Sequence, residues 1–228
     1  MTATTGSAAS TKIELRIAGL AGVLWAVLSL GRFPLTGEAN LPARDAPPDQ
    51  VVGFFQGLSF DSTFIAGVGL VTIGWALLPV FIAFVADLFG RIDRALRWVG
   101  LLALAGAILE VAVTASYLAT FGTGVFWASH GGLGADAYVT LHGFSGSLLW
   151  LDSILFALWL VPLGVAIIVT RLFPRWLGWA LVATAVGSMV SFFLASEVLA
   201  NVFGGIPYIW VLTAGVLMLV RSERYSQL

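Results

Sequence analysis

The sequence predicts an all-α, polytopic transmembrane bundle of six helices with both termini in the cytoplasm. Of its 228 residues, 59% are hydrophobic and only 10% are charged, whereas a soluble domain has about 25% charged residues. Long apolar runs recur along the chain without the alternation that is typical of barrel strands. A helix of roughly 20 apolar residues crosses the hydrocarbon core with its backbone polar groups paired internally.

The apolar runs define six spans in a single membrane domain, which we place at residues 13–222. We predict the spans at about 15–35, 62–87, 98–120, 145–170, 176–198 and 206–221. Residues 1–12 are mostly small and polar, which predicts a disordered N-terminal tail, and residues 223–228 form a C-terminal tail. The first span also fits a signal peptide. No stretch of small residues suitable for cleavage follows it directly, so we expect an uncleaved helix.

The distribution of basic residues predicts the orientation. Arg32 and Arg44 fall in the predicted outer segments. Nine other basic residues fall in inner segments if the N-terminus lies inside: Lys12, Arg16, Arg91, Arg94, Arg97, Arg171, Arg175, Arg221 and Arg224. Because lysine and arginine are enriched in cytoplasmic loops, this asymmetry predicts that both termini are cytoplasmic.

The first outer connection, at about residues 36–61, is long enough to contain a short helix. Asp49 is a suitable N-cap. Val51, Phe55 and Leu58 are spaced to form one apolar face. This segment is predicted either to lie in the outer membrane interface or to fold over the mouth of the bundle.

The second outer connection, at about residues 121–144, is rich in glycine and contains both histidines, so we expect a pliable loop. His130, Asp136 and His142 have the right chemistry for zinc, but their spacing of six and six matches neither a helix face nor a zinc motif. A haem between the two histidines is less favoured still. The chain has no nucleophile elbow, no His-Glu-x-x-His motif and no phosphate-binding loop. We therefore predict no metal, no cofactor and no catalytic residue, and an enzyme is not expected.

Glu110 is the most informative residue of the predicted membrane domain. It follows Trp98 by 12 residues, which corresponds to about 18 Å along a helix and places it near the middle of the membrane. A charged side chain at that depth costs about 2.5–3.5 kcal/mol, so Glu110 should face the bundle interior. Thr114 and Tyr117 lie on the same face of this helix. The residue is either a proton or ligand site, or a neutral carboxyl that hydrogen-bonds neighbouring helices together.

Other polar groups are expected near the outer ends of the spans. His142 and Asp152 share a face of the fourth span, Glu197 ends the fifth span and Arg32 ends the first. Ordinary solvation at the membrane rim is the favoured account of Arg32, Asp152 and Glu197, and a pair of Arg32 with Glu197 or Asp152 is the alternative. A ligand-binding or proton site on one outward-facing cavity would comprise Arg32, Glu110, Thr114, Tyr117, His142, Asp152 and Glu197.

One stretch of the chain resembles a known family. Residues 155–164 read Leu-Phe-Ala-Leu-Trp-Leu-Val-Pro-Leu-Gly, and residues 173–178 read Phe-Pro-Arg-Trp-Leu-Gly. This is similar to the Gly-Leu-Trp-Leu-x-Pro-Leu-Gly helix and the Leu-Pro-Arg-x-Leu-Gly re-entry of the bacterial membrane family catalogued as domain of unknown function 4386. The resemblance implies six helices in a bacterial cytoplasmic (inner) membrane. It implies no activity and no site residues.

Two classes of function follow from this sequence. The first is a binding or transport-type bundle in which kinks at Pro79 and Pro162 open a cavity around Glu110 for a lipid-like or small amphipathic ligand. The second is a structural or regulatory partner subunit without a ligand, whose small-residue faces associate with another membrane protein or with a second copy of the chain. Membrane lipids are the expected surroundings, and the net charge of −1 suggests no nucleic-acid partner.

Overall fold

The computed structural model describes residues 5–225, without the side chains of residues 5–11, 197, 224 and 225. The chain over this range contains α-helices, short 3-10 turns and no strand. The α-helices are α1 (Thr5–Gly31), α2 (Phe33–Thr36), α3 (Pro48–Gln56), α4 (Ser62–Ile92), α5 (Arg97–Ser129), α6 (Ala135–Thr170), α7 (Arg175–Phe193), α8 (Glu197–Val220) and α9 (Ser222–Tyr225). Six helices are long and apolar enough to cross a membrane, with α1 continued by α2 in the first of them. The predicted six-helix membrane fold is confirmed.

The six long helices form a ring. Each of α4, α5, α6, α7 and α8 packs against its neighbours in chain order, and α1 packs against both α4 and α8. Glycines allow close approach where the ring closes: a Cβ atom built on Gly19 of α1 would lie only 2.7 Å from the carbonyl oxygen of Gly215 in α8. Gly178 of α7 approaches Gly164 of α6 in the same way, at 2.7 Å. In membranes, such small residues let helix backbones pack tightly without a hydrophobic driving force.

The predicted pliable loop at residues 121–144 is wrong over most of its length. Helix α5 continues to Ser129 and α6 begins at Ala135, so only residues 130–134 connect them. A glycine costs a helix only about 1 kcal/mol relative to alanine, and packing offsets that cost here. A Cβ atom at Gly124 would lie 2.5 Å from Cε1 of Phe55, so this glycine admits an aromatic ring that stabilises the helix.

Two other helix boundaries differ from the prediction. Helix α7 ends at Phe193 and α8 begins at Glu197, because Ser196 acts as the N-cap and accepts a hydrogen bond from the backbone N–H of Leu199 at 3.4 Å. At the N-terminus, α1 begins at Thr5 and includes residues 5–12 of the segment predicted to be disordered. Alanines at positions 8 and 9 favour that helical extension. The predictions for residues 1–4 and 226–228 lie outside the described residues.

Helix α3 folds over one end of the bundle, as the second of the two alternatives predicted. It follows Pro47 and has no side-chain cap, so the predicted capping role of Asp49 is wrong; Asp49 lies in the first turn instead. Val51 and Phe55 are fully buried, and α3 packs against α5 and α6. The ring of Phe55 stacks on that of Tyr138 at a centroid distance of 5.4 Å. The apolar face of α3 therefore points into the protein.

Ion pairs join helices at the opposite end of the bundle. Lys12 Nζ lies 2.6 Å from Glu223 Oε1, and Arg91 Nη2 lies 2.9 Å from Glu14 Oε2. The hydrogen bond from Lys12 lowers the pKa of Glu223. Because a lowered carboxyl pKa favours the folded state only when the group is ionised, this contribution is present above the unfolded pKa and is lost as the pH falls below it.

We expect this basic end of the bundle to face the cytoplasm. Because the Lys and Arg bias sets the orientation, alkaline phosphatase fused after Asp45 or His130 should be active. Green fluorescent protein should fluoresce when it is fused after Asp93 or Phe173. Activity of paired alkaline phosphatase and green fluorescent protein fusions measures this. A cytoplasmic signal after Asp45 or His130 would reverse or break the predicted topology.

Candidate functional site

A cavity of about 520 Å³ lies at the end of the bundle that α3 covers. Its walls come from the end of α1, from α2, α5, α6 and α8, and from the segment at residues 38–44. Polar lining side chains are those of Arg32, Glu38, Arg44, Tyr117, His142, Asp152, Ser153, Asn201 and Tyr208. Apolar lining side chains include those of Leu30, Phe33, Leu41, Leu149, Trp150 and Phe156. The volume falls within the range of small-molecule sites, which is about 300–1,000 Å³.

A buried ion pair lies on the cavity wall. Arg32 Nε is 3.1 Å from Glu38 Oε2, and the two side chains are only 7% and 3% exposed. The local chain geometry places them together: α2 ends at Thr36, and Gly37 adopts a left-handed conformation (φ 74°) that turns the chain back toward Arg32. Thr36 Oγ1 donates a hydrogen bond to Glu38 Oε1 at 3.1 Å. The turn therefore places the Glu38 carboxylate in the protein interior, where Arg32 and Thr36 are its partners.

Arg32 keeps unused hydrogen-bonding capacity. Its Nε and Nη1 atoms are buried and have no hydrogen-bond acceptor, because the 3.1 Å contact with Glu38 is an ion pair without hydrogen-bond alignment. Tyr208 of α8, Tyr117 of α5 and Asp152 of α6 line the same cavity. A buried donor without an acceptor costs roughly 1–3 kcal/mol, and more when it is charged. Arg32 can therefore donate hydrogen bonds to an oxygen atom of a bound partner.

The segment at residues 41–44 is held against α6 and forms part of the cavity wall. His142 Nε2 donates a hydrogen bond to the carbonyl oxygen of Ala43 at 3.1 Å, since that oxygen only accepts. Arg44 lies over the ring of Trp150 at 5.6 Å, and its Nη2 donates to Ser147 Oγ at 3.5 Å. The other ring nitrogen of His142, Nδ1, is buried without a partner. Arg44 of this segment and Trp150 of α6 thus present cationic and aromatic surface to the cavity.

Behind the α6 wall lies a pair of carboxyl groups. Glu110 of α5 is completely buried, and neither of its oxygens has a hydrogen-bond donor. Its carboxyl interacts directly with that of Asp152, which lines the cavity. The two helices approach closely one turn away, where a Cβ atom on Gly106 would lie 2.9 Å from backbone atoms of Leu158 and Trp159. That close approach brings the two acids together.

The structure gathers only part of the predicted site on the cavity. Four predicted residues line it: Arg32, Tyr117, His142 and Asp152. Glu110 and Thr114 are buried as predicted but are not among the lining residues, so the cavity is not centred on Glu110. The side chain of Glu197 lies outside the described residues.

Two other expectations about this site change. Rim solvation is wrong for Arg32, which is 6% exposed, and its ion-pair partner is Glu38, a residue outside the two alternatives. Pro79 and Pro162 lie within α4 and α6, and neither lines the cavity. The cavity is instead bordered by glycines, which leave space where a side chain would stand: Gly146, Gly204 and Gly205.

Glu38 and Tyr208 are the important site residues that sequence reasoning missed. Glu38 lies in an irregular connection, where no helical spacing relates it to Arg32, although it is the first acidic residue after that arginine. Tyr208 follows a glycine pair and a proline in α8 and stacks on Trp25 of α1 at a centroid distance of 4.8 Å. An unusually polar start to an otherwise apolar helix was the available signal for Tyr208.

No metal centre is formed by the histidines. His130 is exposed at the end of α5 and its Nδ1 hydrogen-bonds the carbonyl oxygen of Phe126 at 2.8 Å, whereas His142 is buried on the cavity wall. Over the part of the chain that the structure describes, no three histidine, cysteine, aspartate or glutamate residues are grouped to hold a metal ion.

Comparison of the chain with protein-family models, with curated proteins and with solved structures gave no match. The resemblance to the bacterial family of unknown function stays a prediction.

Proposed function

We propose that this multi-pass membrane protein binds a small amphipathic molecule in the cavity beside Arg32. The observation that carries this proposal is the buried guanidinium of Arg32, which is 6% exposed, borders the cavity and has two nitrogen atoms without an acceptor. A ligand oxygen at that position would satisfy them. A bound molecule would thereby offset the desolvation cost of the buried guanidinium.

The distribution of polar and apolar groups favours an amphipathic ligand. Arg32, Tyr208 and Asp152 form a polar region, whereas Leu30, Phe156 and neighbouring apolar side chains line the rest. A molecule with a polar head and an apolar body would match both regions. The predicted topology makes the cavity outward-facing, and the resemblance described above suggests a bacterial inner membrane as its location. Transport across that membrane is one use of such a site.

Filling the cavity should abolish binding. Gly204→Phe adds a ring on the cavity wall, where no heavy atom lies within 4 Å of a built Cβ, so the helix should tolerate the change. We expect wild-type protein purified in mild detergent to retain a bound small molecule in native mass spectrometry, and the variant to lose at least about 90% of it.

Gly69→Phe provides the matched control, because Gly69 is an exposed glycine of α4 that also has no neighbour within 4 Å. This variant should bind like the wild type. Identical bound masses in all three proteins would contradict the proposal. Co-purification of a second polypeptide in place of a small molecule would favour the partner-subunit alternative.

A further inference from the structure

Glu110 is a fully buried carboxyl group within the membrane domain. Its exposure is 0%, and both oxygens are buried without a donor. A carboxylate in that setting would lose its hydration with nothing in return, at a cost of several kcal/mol. Ordinary packing does not explain this, because a leucine would fill the same space without the penalty. Glu110 therefore needs a ligand that binds a carboxyl oxygen and neutralises the charge of the carboxylate.

The neighbouring Asp152 defines what that ligand is. Asp152 Oδ1 is also buried without a donor, and its carboxyl is the group with which Glu110 interacts. Two carboxylates placed side by side away from water repel each other, and one proton between them turns repulsion into a hydrogen bond. A proton is small enough for a site closed by the tight α5–α6 contact at Gly106.

The charged groups around Glu110 and Asp152 indicate that the pair holds a single proton. Arg32, which lies between α1 and α2, acts on Asp152, and Tyr208 of α8 lies near both acids. Glu38 and Tyr117 lie near Arg32, Glu38 also lies near Tyr208, and His142 lines the same cavity. The charged residues of the other helices packed against α5 and α6 are exposed: Asp49 of α3, Asp87 and Arg91 of α4, and Arg175 of α7. Arg32 is therefore the buried cation that interacts with the acid pair, and it does so through Asp152.

We propose that Glu110 and Asp152 together form a proton-binding site that holds one proton at neutral pH and exchanges it with the cavity through Asp152. Glu110 has no exposed surface of its own, whereas Asp152 lines the cavity, so the exchange route runs through Asp152. This proposal uses the cavity of the proposed function as a path for protons, and it requires no bound organic ligand. A ligand placed beside Arg32 would change the field at Asp152 and so would release or take up the proton.

Infrared spectroscopy tests the site directly on the full chain in detergent at pH 7. Exposed carboxyl groups are ionised at that pH, so a carbonyl band of a protonated carboxylic acid reports the buried pair. We expect the wild type to show this band, and the band to shift when H₂O is replaced by D₂O. Glu110→Gln keeps the shape and donates to Asp152, and it should remove the band. Asp152→Asn should keep the band at a shifted frequency, because Glu110 remains buried.

Asp136→Asn, which changes an exposed acid in the first turn of α6, is the control and should leave the band unchanged. Absence of the band in wild-type protein overturns the proposal, and this result does not depend on the folding of any variant. Persistence of the band in a protein that retains no small molecule would refute the proposed function and leave the proton site standing.

Discussion

Replacing Arg32 by methionine is expected to cause the largest loss of stability of any single change at the site. The substitution leaves Glu38, whose side chain is 3% exposed, without its cation. Removing one partner of a buried ion pair costs about 3–5 kcal/mol, because the remaining charge is stranded. Unfolding of the detergent-solubilised protein by increasing fractions of sodium dodecyl sulfate measures this cost.

Two further variants separate the ion pair from simple packing. Adding Glu38→Leu to Arg32→Met should recover most of the loss, since the carboxylate that Arg32 had paired with is then also removed. Lys12→Met removes one partner of the exposed Lys12–Glu223 pair and should change stability little, because such pairs contribute weakly. Equal destabilisation by Lys12→Met and Arg32→Met would show that burial of the Arg32 pair has no special weight.

Gly106→Val is expected to produce the second large effect. The new Cβ atom would lie 2.9 Å from the backbone of Leu158 and Trp159, so α5 and α6 must move apart. Overpacking of this kind costs about 1–3 kcal/mol. It should also separate Glu110 from Asp152, and the same unfolding experiment, combined with the infrared band, measures both consequences.

Gly122→Val is the matched control on the same helix, because no heavy atom lies within 4 Å of a Cβ built at Gly122. We expect it to be neutral or slightly stabilising, since valine loses less conformational freedom than glycine on folding. If both valine variants were equally stable, the tight α5–α6 contact would not be what holds the carboxyl pair together.

Regular segments of this protein were predictable from sequence because helical spacing relates their residues. The stripe of Glu110, Thr114 and Tyr117 is buried as its spacing predicted, and His142 and Asp152 face one cavity as their shared face predicted. In these cases the polar side chains face the protein interior, because their transfer into lipid is unfavourable.

Irregular segments were not predictable, because no helical spacing relates their residues. Glu38 meets Arg32 through a turn at Gly37, and no periodicity encodes that contact. Glycine-rich stretches were misleading in the opposite direction: the segment around Gly124 is helical, and Phe55 packs where a side chain of residue 124 would stand. Hydropathy and glycine content describe the chain alone, whereas these outcomes depend on which element packs against it.

Thiol labelling tests most directly whether polar groups converge on a wet, outward-facing cavity. The chain contains no cysteine, so each introduced thiol is the sole target. Ser153 and Ser188 are both buried serines of membrane helices, at 7% and 2% exposure, but only Ser153 is among the cavity-lining residues. A small, charged, membrane-impermeant methanethiosulfonate reagent added outside spheroplasts should modify Ser153→Cys and leave Ser188→Cys unmodified. Equal reactivity of the two variants, or modification of Ser153→Cys only in inverted vesicles, would contradict an outward-facing cavity beside Arg32.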